Sequence, residues 1–560
     1  MERRRTNSCH DGRRGSRWVR VSQKTHHGPH SNSSFKEPAI RGHFLGVCSL
    51  LAIGFVYFSA PLKCQAAGGV LLVAAEDEAT GEPVVTRMEL NRGDGKPQFV
   101  RRAASAGLGV IVSESLELPL PNGAYQFRFV RGPEYRIITG NFTLEQTSKD
   151  EKTVRLPRMV DMHSEGWLSG DLAIPPATSD LTLRMIAEDL HVAAVINQPG
   201  ADSMPQAIPK NLTPYQPLWT ETVASTSMDD AVVFYGDVEP IERETIKPDS
   251  MVTAEEIKRA TTADNELMKV AIANPFAWEL PVWMASEQID GMFVLGDWIR
   301  QDKQVEAIPN GRPPGMIGFD GPKGPGRYAE FVYWNLLEAG FSLAPLAGTG
   351  TKKGQSAQTP IGYNRVYATT TRYADEDAPP IAPDSQESFM DAVWSGQSVV
   401  TNGPMLRPML GGFPPGHRFV ATAGERFQLM MELKLAVRDP VDYLEIVHNG
   451  KVFYSARLDE FAAAGGQLPE LEIEESGWVV VRVVTQHEDH FRMATSAPWY
   501  FEFDGHPRIS RKAVRFFGEW LSDCETQLKK LPKETLAKHV PSVTVARKFW
   551  AERLTNSTAD

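Results

Sequence analysis

At Gly166 the chain changes its grammar, and nothing else in it constrains the fold as much. Short apolar runs begin to alternate with helical patterns. The runs are VAAVINQ (192–198), AVVFYGD (231–237), LMKVAIAN (267–274), IDGMFVLGD (289–297), FSLAPLAGT (341–349) and YNRVYAT (363–369). The helical patterns include SDLTLRMIAEDL (179–190) and RYAEFVYWNLLEAG (327–340). Apolar runs this short belong to strands buried on both faces, and strands separated by helices pair in parallel through crossovers. The spacing predicts a mainly parallel sheet with crossover helices, and this many units favour a barrel over an open sheet. Asp180 is placed to cap the first helix, where Leu183, Ile186, Ala187 and Leu190 share a face. Gly340 is placed to end the second.

The flanks use a different pattern. Residues 67–158 alternate short apolar runs with turn signals, as in GGVLLVAAED and EYRIITGNFTLEQ, and predict an N-terminal β-sandwich. Pro121-Asn122-Gly123 between two strand-like runs reads as a hairpin turn. The Arg131-Gly132-Pro133-Glu134-Tyr135 turn reads as structural. Residues 159–404 hold the barrel pattern, with a Pro-rich polar loop at 375–388. Residues 405–505 return to strands and predict a C-terminal β-sandwich, with Asn449-Gly450 as a two-residue hairpin turn. Residues 506–560 turn amphipathic, with Val514, Phe517 and Leu521 on one face, and predict a helical tail docked on the barrel or the sandwich.

The N-terminus is of another kind. Residues 1–43 carry ten Lys/Arg against three Asp/Glu and predict a basic disordered leader. An uncharged apolar run, 44–62, leads to small residues at Cys64-Gln65-Ala66, which together read as a secretory signal over 44–66 or as a retained membrane anchor. Either way the chain is exported, periplasmic or extracellular. Loss of residues 1–66 takes the net charge from −11 to about −19, which argues against nucleic acid and anionic membrane as partners. Membrane contact is then left to the N-terminal segment alone. Cys9, Cys48 and Cys64 leave with the leader, so Cys524 has no partner for an internal disulfide.

Several phrases in the barrel region go further: Gly166-Trp167-Leu168-Ser169-Gly170-Asp171, Ala187-Glu188-Asp189-Leu190-His191-Val192, Asn274-Pro275-Phe276 and Leu280-Pro281-Val282-Trp283. Ala347-Gly348-Thr349-Gly350-Thr351, Gly362-Tyr363-Asn364-Arg365-Val366-Tyr367, Thr401-Asn402-Gly403-Pro404 and Thr495-Ser496-Ala497-Pro498 follow in order. With these the chain resembles the PHP-like metallohydrolases of the carbaryl-hydrolase (CehA/McbA) type, common as exported bacterial proteins. The resemblance spans about 165–500. It implies a multidomain α/β plus β protein, a distorted (β/α) barrel flanked by β-rich domains.

The departures from that family carry the functional expectation. The family reads Gly-Asp-x-His-x-His after the first barrel strand, whereas this chain has Gly170-Asp171-Leu172-Ala173-Ile174-Pro175. Where the family places an Asn-His pair, this chain has Asp297-Trp298. No histidine occurs between His191 and His417. Imidazole supplies the neutral ligands that let such a site hold zinc, iron or manganese, and Ala and Pro side chains cannot ligate. His191 reads as structural, and His163 lies on the linker into the barrel.

In α/β barrels the chemistry collects at the C-terminal strand ends. There this chain offers Asp171, Asn197, Asn274, Asp297 and Thr349, with Glu188 and Asp189 on the first helix. These groups either cap helices and bind strand-end amides or form a remnant oxygen-ligand site for a divalent cation. Trp298 is placed to floor the old cleft for stacking on a sugar or aromatic ring, while Trp278, Trp283 and Trp334 read as core. Asn364 and Arg365 complete the binding-pocket set, Arg365 either pairing with a carboxylate at the mouth or lying in a buried ion pair. There is no Gly-x-Ser-x-Gly, and Gly321-Pro322-Lys323-Gly324-Pro325-Gly326 reads as a rigid surface loop.

Three readings follow. The first is a pseudoenzyme, metal-free and cofactor-free, that binds an unknown small molecule or glycan or acts as a scaffold. The second is an active metal-dependent hydrolase of phosphoester, carbamate or amide bonds with a carboxylate site built on Asp171, Glu188, Asp189 and Asp297. The third is a carbohydrate-binding envelope protein. The first is the favoured expectation.

Overall fold

The computed structural model describes residues 68–100, 103–174, 180–197, 219–224, 232–235, 268–299, 311–350, 359–370, 380–487 and 491–560. The basic leader, the 44–66 segment and Pro175 lie outside the described residues. Among the described residues no helix is long and apolar enough to cross a membrane.

The first strands are β1 (Gly68–Asp77), β2 (Thr86–Arg92), β3 (Ser105–Ala106), β4 (Gly109–Val112), β5 (Ser115–Pro121), β6 (Gly123–Val130), β7 (Ile138–Leu144) and β8 (Lys149–Leu156). They form two sheets, in the orders β5-β1-β8 and β3-β4-β2-β6-β7. β1 alternates buried and half-buried residues along its whole length, turning Leu71, Val73 and Ala75 onto a core shared with Met88, Leu118 and Phe129. Period-2 patterning thus turns the apolar residues of both sheets onto one core. The predicted hairpin at Pro121-Asn122-Gly123 is corrected. β5 pairs with β1, and β6 pairs with β2 and β7, so the turn carries the chain from one sheet to the other. Turn residues encode a change of direction but not the strand's partner.

The α/β region follows. β9 (Leu168–Ile174), β10 (Val192–Asn197) and β11 (Trp219–Ala224) are parallel, with the helix Leu181–Ala187 between the first two. A second sheet holds β12 (Val232–Tyr235), β13 (Lys269–Ile272), β14 (Gly291–Leu295) and β15 (Ala344–Ala347), with only the β12–β13 pair antiparallel. Helices Leu280–Met284 and Gly324–Glu338 make the crossovers. β9, β14 and β15 are buried along their whole length, as their uninterrupted apolar runs require.

Three local readings meet the structure here. Gly340 sits at φ 86° just past the helix, where the N–H groups of Gly340 and Phe341 return to Leu337 and Leu336, a Schellman end. Asp180 does precede the first helix, but at φ 53° its side chain makes no capping bond, which corrects that expectation. Gly321–Gly326 is also not all loop. The helix starts at Gly324, with Pro325 in the first turn, where a missing N–H costs nothing. Gly326 is pressed against Phe491, and a Cβ there would come within 2.5 Å of its ring.

β16 (Arg365–Ala368) runs antiparallel to β9, and β17 (Ser398–Thr401) antiparallel to β16. The remaining strands are β18 (Met405–Leu410), β19 (Arg418–Ala421), β20 (Phe427–Leu429), β21 (Met431–Ala436), β22 (Val441–His448), β23 (Lys451–Ala456), β24 (Leu471–Ile473), β25 (Gly477–Thr485), β26 (Met493–Ser496) and β27 (Trp499–Phe503). The β22–β23 hairpin turns at Asn449-Gly450, both at positive φ, as a type I′ turn demands. The sheet does not stop at residue 404. Its order runs β11-β10-β9-β16-β17-β26-β25-β22-β23, with β27 and β19 attached, so the α/β region and the C-terminal strands share one continuous sheet. The tail helices Arg511–Leu528 and Lys533–Thr555 pack Phe517, Trp520 and Trp550 into the α/β core, and Trp550 Nε1 donates to the Pro281 carbonyl at 2.8 Å.

Candidate functional site

Asp171 is fully buried on β9, and four donors converge on its carboxylate. Oδ1 accepts the backbone N–H groups of Ala173 at 3.1 Å and Thr349 at 2.9 Å. Oδ2 accepts the N–H of Gly362 at 2.7 Å and the Thr349 hydroxyl. Burial pushes this carboxyl above its usual range, and the bonds from Thr349, Gly362 and Ala173 pull it back. A carboxylate offers about four lone-pair directions, and all four are taken. Asp171 therefore stitches β9 to the end of β15 and to the segment before β16. Alongside it, Gly350 donates its N–H to the Ala173 carbonyl at 2.9 Å. Gly348 faces Ala173 so closely that a Cβ at 348 would lie 2.7 Å from the alanine methyl.

The other strand-end residues are also engaged. Asn364 is buried, and its Nδ2 donates to the carbonyls of Gly296 at 3.0 Å, Ile299 at 3.2 Å and Gly348 at 3.1 Å. Asn274 Oδ1 accepts the N–H of Phe276 at 3.0 Å, a local turn. Asp297 is half-buried beside Trp298. The side chain of Asn197 lies outside the described residues. Trp298 corrects its sequence reading as a stacking platform. Its indole is 7% exposed, lies against Gly296 and meets Phe276 edge-on at 5.2 Å. The ring is packed into the core cluster. Trp283 is buried in the same core, with Trp278 and Trp334 packed at its margin.

Glu188 and Asp189 do not join Asp171. They end the first helix and turn toward the N-terminal sandwich. Glu188 pairs with Arg87, a buried arginine on β2 that also binds Glu89. Asp189 accepts Arg131 at 3.0 Å and Arg158 at 3.1 Å. These cations hold its carboxyl below the usual range despite burial. Arg365 is buried as well and binds carbonyls rather than a carboxylate: Gly362 at 2.6 Å, Glu188 at 3.0 Å and Asp189 at 3.3 Å. It ties the end of the first helix to the start of β16.

Glu134 is the member of this seam that sequence reasoning missed. It is fully buried and accepts Arg158 at 3.0 Å, the Met162 N–H at 3.0 Å and the Tyr367 hydroxyl at 3.1 Å. Burial and the neighbouring Asp189 push its carboxyl up to about 7 against the pull of Arg158. Tyr135 lies between Arg131 and Arg158, 5.2 and 5.1 Å from its ring. A dense charge pattern in the Arg131–Tyr135 turn was the only signal, and it names no partner. His191 is buried, bonded through Nδ1 to Ser169 at 2.9 Å, and pushed down to about 3 chiefly by burial, so it is neutral. The exposed His163 stacks on it at 5.7 Å.

The arrangement suits holding strands and sandwich together better than holding an ion. Ala173 presents a packed methyl where the resemblance expects imidazole, Asp171 has its oxygens committed, and Glu188 and Asp189 are spent on arginines. Among the described residues no three His, Cys, Asp or Glu side chains converge as metal ligands. A catalytic transition metal does not fit this donor set.

No family model matches the chain, and neither does any curated protein. Among solved structures, the chain is similar to the Bacillus anthracis TIE protein at 18% identity over 20% of each chain, with a TM-score of 0.15. The chain thus spans about a fifth of that protein's length. The N-terminal four Ig domains of Dscam1 isoform 4.44 align at 9% identity over 78% of this chain and 73% of that one, with a TM-score of 0.12.

Proposed function

We propose that the chain is an exported pseudoenzyme built on a PHP-like metallohydrolase scaffold, acting as a binding or scaffold protein. In this reading strands β9–β17, within residues 159–404, are the distorted barrel, with the sandwich of β1–β8 against it. The observation that carries the reading is Asp171. In a metal site a strand-end carboxylate must keep lone pairs free for the ion. Here Thr349, Gly362 and Ala173 occupy them all. The close fit of Ala173 against Gly348 adds to this, because the missing imidazole has no space reserved for it. The carboxylate-hydrolase alternative would need Asp171, Glu188 and Asp189 to share an ion, and their partners hold them apart.

Metal analysis of the full chain, purified without chelators, tests the proposal. The expected result is no stoichiometric zinc, iron or manganese. About one equivalent or more of tightly held metal, together with ester turnover that a chelator stops and added cation restores, overturns it.

A further inference from the structure

Residues 506–560 carry eleven Lys/Arg against six Asp/Glu, in a chain whose net charge is −11. A local excess of one sign draws the opposite charge to that place whatever the net balance. On the first tail helix, Arg511, Lys512, Arg515, Phe516 and Glu519 follow at helical spacing and share a face. Together with Asp560 they line an open cleft of about 540 Å³. Small-molecule sites span roughly 300–1,000 Å³, so a ligand of that kind fits. Asp560 is brought to the cleft because residues 558–560 return to the start of the helix. The Arg511 N–H donates to the Ala559 carbonyl at 2.8 Å, and the Ser510 hydroxyl donates to the Asp560 main-chain oxygen at 3.3 Å. Ser510 Oγ also accepts the Ala513 N–H. The cleft therefore offers side chains, not the amides of the helix start.

The charges of the cleft are not matched within the protein. Arg511 meets the exposed Asp560 only at 3.9 Å. Lys512, Arg515 and Glu519 are exposed, and among the described residues none of the three side chains makes an ion pair or a hydrogen bond. Each feature asks something of a ligand. Arg511, Lys512 and Arg515 ask for negative charge, best as an oxyanion that a guanidinium fork can grip. Phe516 is half-buried, packed against Phe331, Phe517 and Trp520 at 5.1–5.7 Å between ring centres, and gives the cleft an apolar wall. Glu519 is an acceptor with nothing to accept, and asks for hydroxyl donors. An inorganic anion answers the first demand, and an aromatic acid the first two. A sugar carrying a carboxylate, phosphate or sulfate answers all three.

We propose that this cleft binds an acidic sugar, free or as a residue of a polysaccharide. The anionic group pairs with Arg511, Lys512 and Arg515, the C–H face of the ring lies against Phe516, and ring hydroxyls donate to Glu519. None of these residues belongs to the strand-end set, so the site stands whether or not the scaffold holds metal.

Titration calorimetry of the full chain tests it, with galacturonate, oligogalacturonate, glucose, benzoate and phosphate at one ionic strength. The expected result is saturable binding of galacturonate or its oligomer with a Kd of about 1 mM or tighter, and about tenfold weaker binding of glucose, benzoate and phosphate. Arg515→Gln and Glu519→Gln change exposed side chains, so the fold is kept, and each should weaken the acidic sugar by about tenfold. Lys538→Gln, an exposed cation on the second tail helix, should leave binding unchanged. The difference between parent and Arg515→Gln isolates the cleft from the basic residues of the leader. Equal affinity for monomer and oligomer assigns a single sugar, and tighter binding of the oligomer assigns a polysaccharide. No saturable binding of either acidic sugar, benzoate or phosphate bound as tightly as galacturonate, or parent-like binding in Arg515→Gln overturns the proposal.

Discussion

Thr349 holds Asp171 twice, with its backbone N–H at 2.9 Å on one carboxylate oxygen and its hydroxyl on the other. The pair joins the ends of β9 and β15. Asp171→Asn loses acceptor capacity against four donors, so buried N–H groups go unpaired. The expected cost is about 1–3 kcal/mol per orphaned group, with Thr349→Val at the lower end. Urea unfolding checks it. Wild-type stability in Asp171→Asn would show that the carboxylate is not the stitch.

Ala173→His restores an imidazole at the position where the resemblance expects one. The alanine is 2% exposed and faces Gly348 with no slack, so the ring must displace β15. The expected outcome is destabilisation of about 1–3 kcal/mol and no gain of metal. Calorimetry and metal analysis of the purified variant read both. A stable variant with stoichiometric zinc would mean the site is a short step from function.

Glu134 and His191 pull stability in opposite directions with pH. The Glu134 carboxyl, at about 7 in the fold against its ordinary 4.5, contributes stability below pH 4.5 that fades as pH rises toward 7. The His191 ring, at about 3 against its ordinary 6.5, contributes stability above pH 6.5 that fades as pH falls toward 3. Between about pH 4.5 and 6.5 the two slopes cancel in the parent. Glu134→Gln should expose the His191 slope, stability dropping on acidification by up to about 1.4 kcal/mol per pH unit. His191→Asn should expose the opposite slope. Denaturant midpoints of parent and both variants across this range would settle it, and three parallel profiles would refute the coupling.

Cys524 is fully buried on the first tail helix, and burial pushes its thiol well above the usual range. It should resist thiol reagents in the native state and react fully once the chain is unfolded, as read by mass mapping of its peptide. Labelling of the folded protein at the rate of a free thiol would mean that the tail helices open readily.

Local signals in this chain were legible where one residue type settles one geometry. Asn449-Gly450 announced its hairpin because only such residues take positive φ twice in a row, and Gly340 announced its helix end for the same reason. Buried runs such as β14 and β15 announced themselves by lacking any polar face. Partner choice was not legible. Arg87 and Glu188 stand 101 residues apart, and nothing near either names the other. Pro121-Asn122-Gly123 predicted a reversal but not that its strands lie in different sheets. Trp298 reads as a platform because an aromatic in place of a ligand looks the same in sequence whether its face is open or, as here, buried.

The handover of hydrogen bonds from β17 to β26 makes the segment after residue 404 a rib of the molecule, not an appendage. A chain ended at residue 404 would keep every α/β strand yet expose the backbone of Ser398–Thr401 as a raw, apolar margin. Such a margin zips onto whatever extended chain it meets, so the truncated piece would be expected to aggregate before it could be assayed.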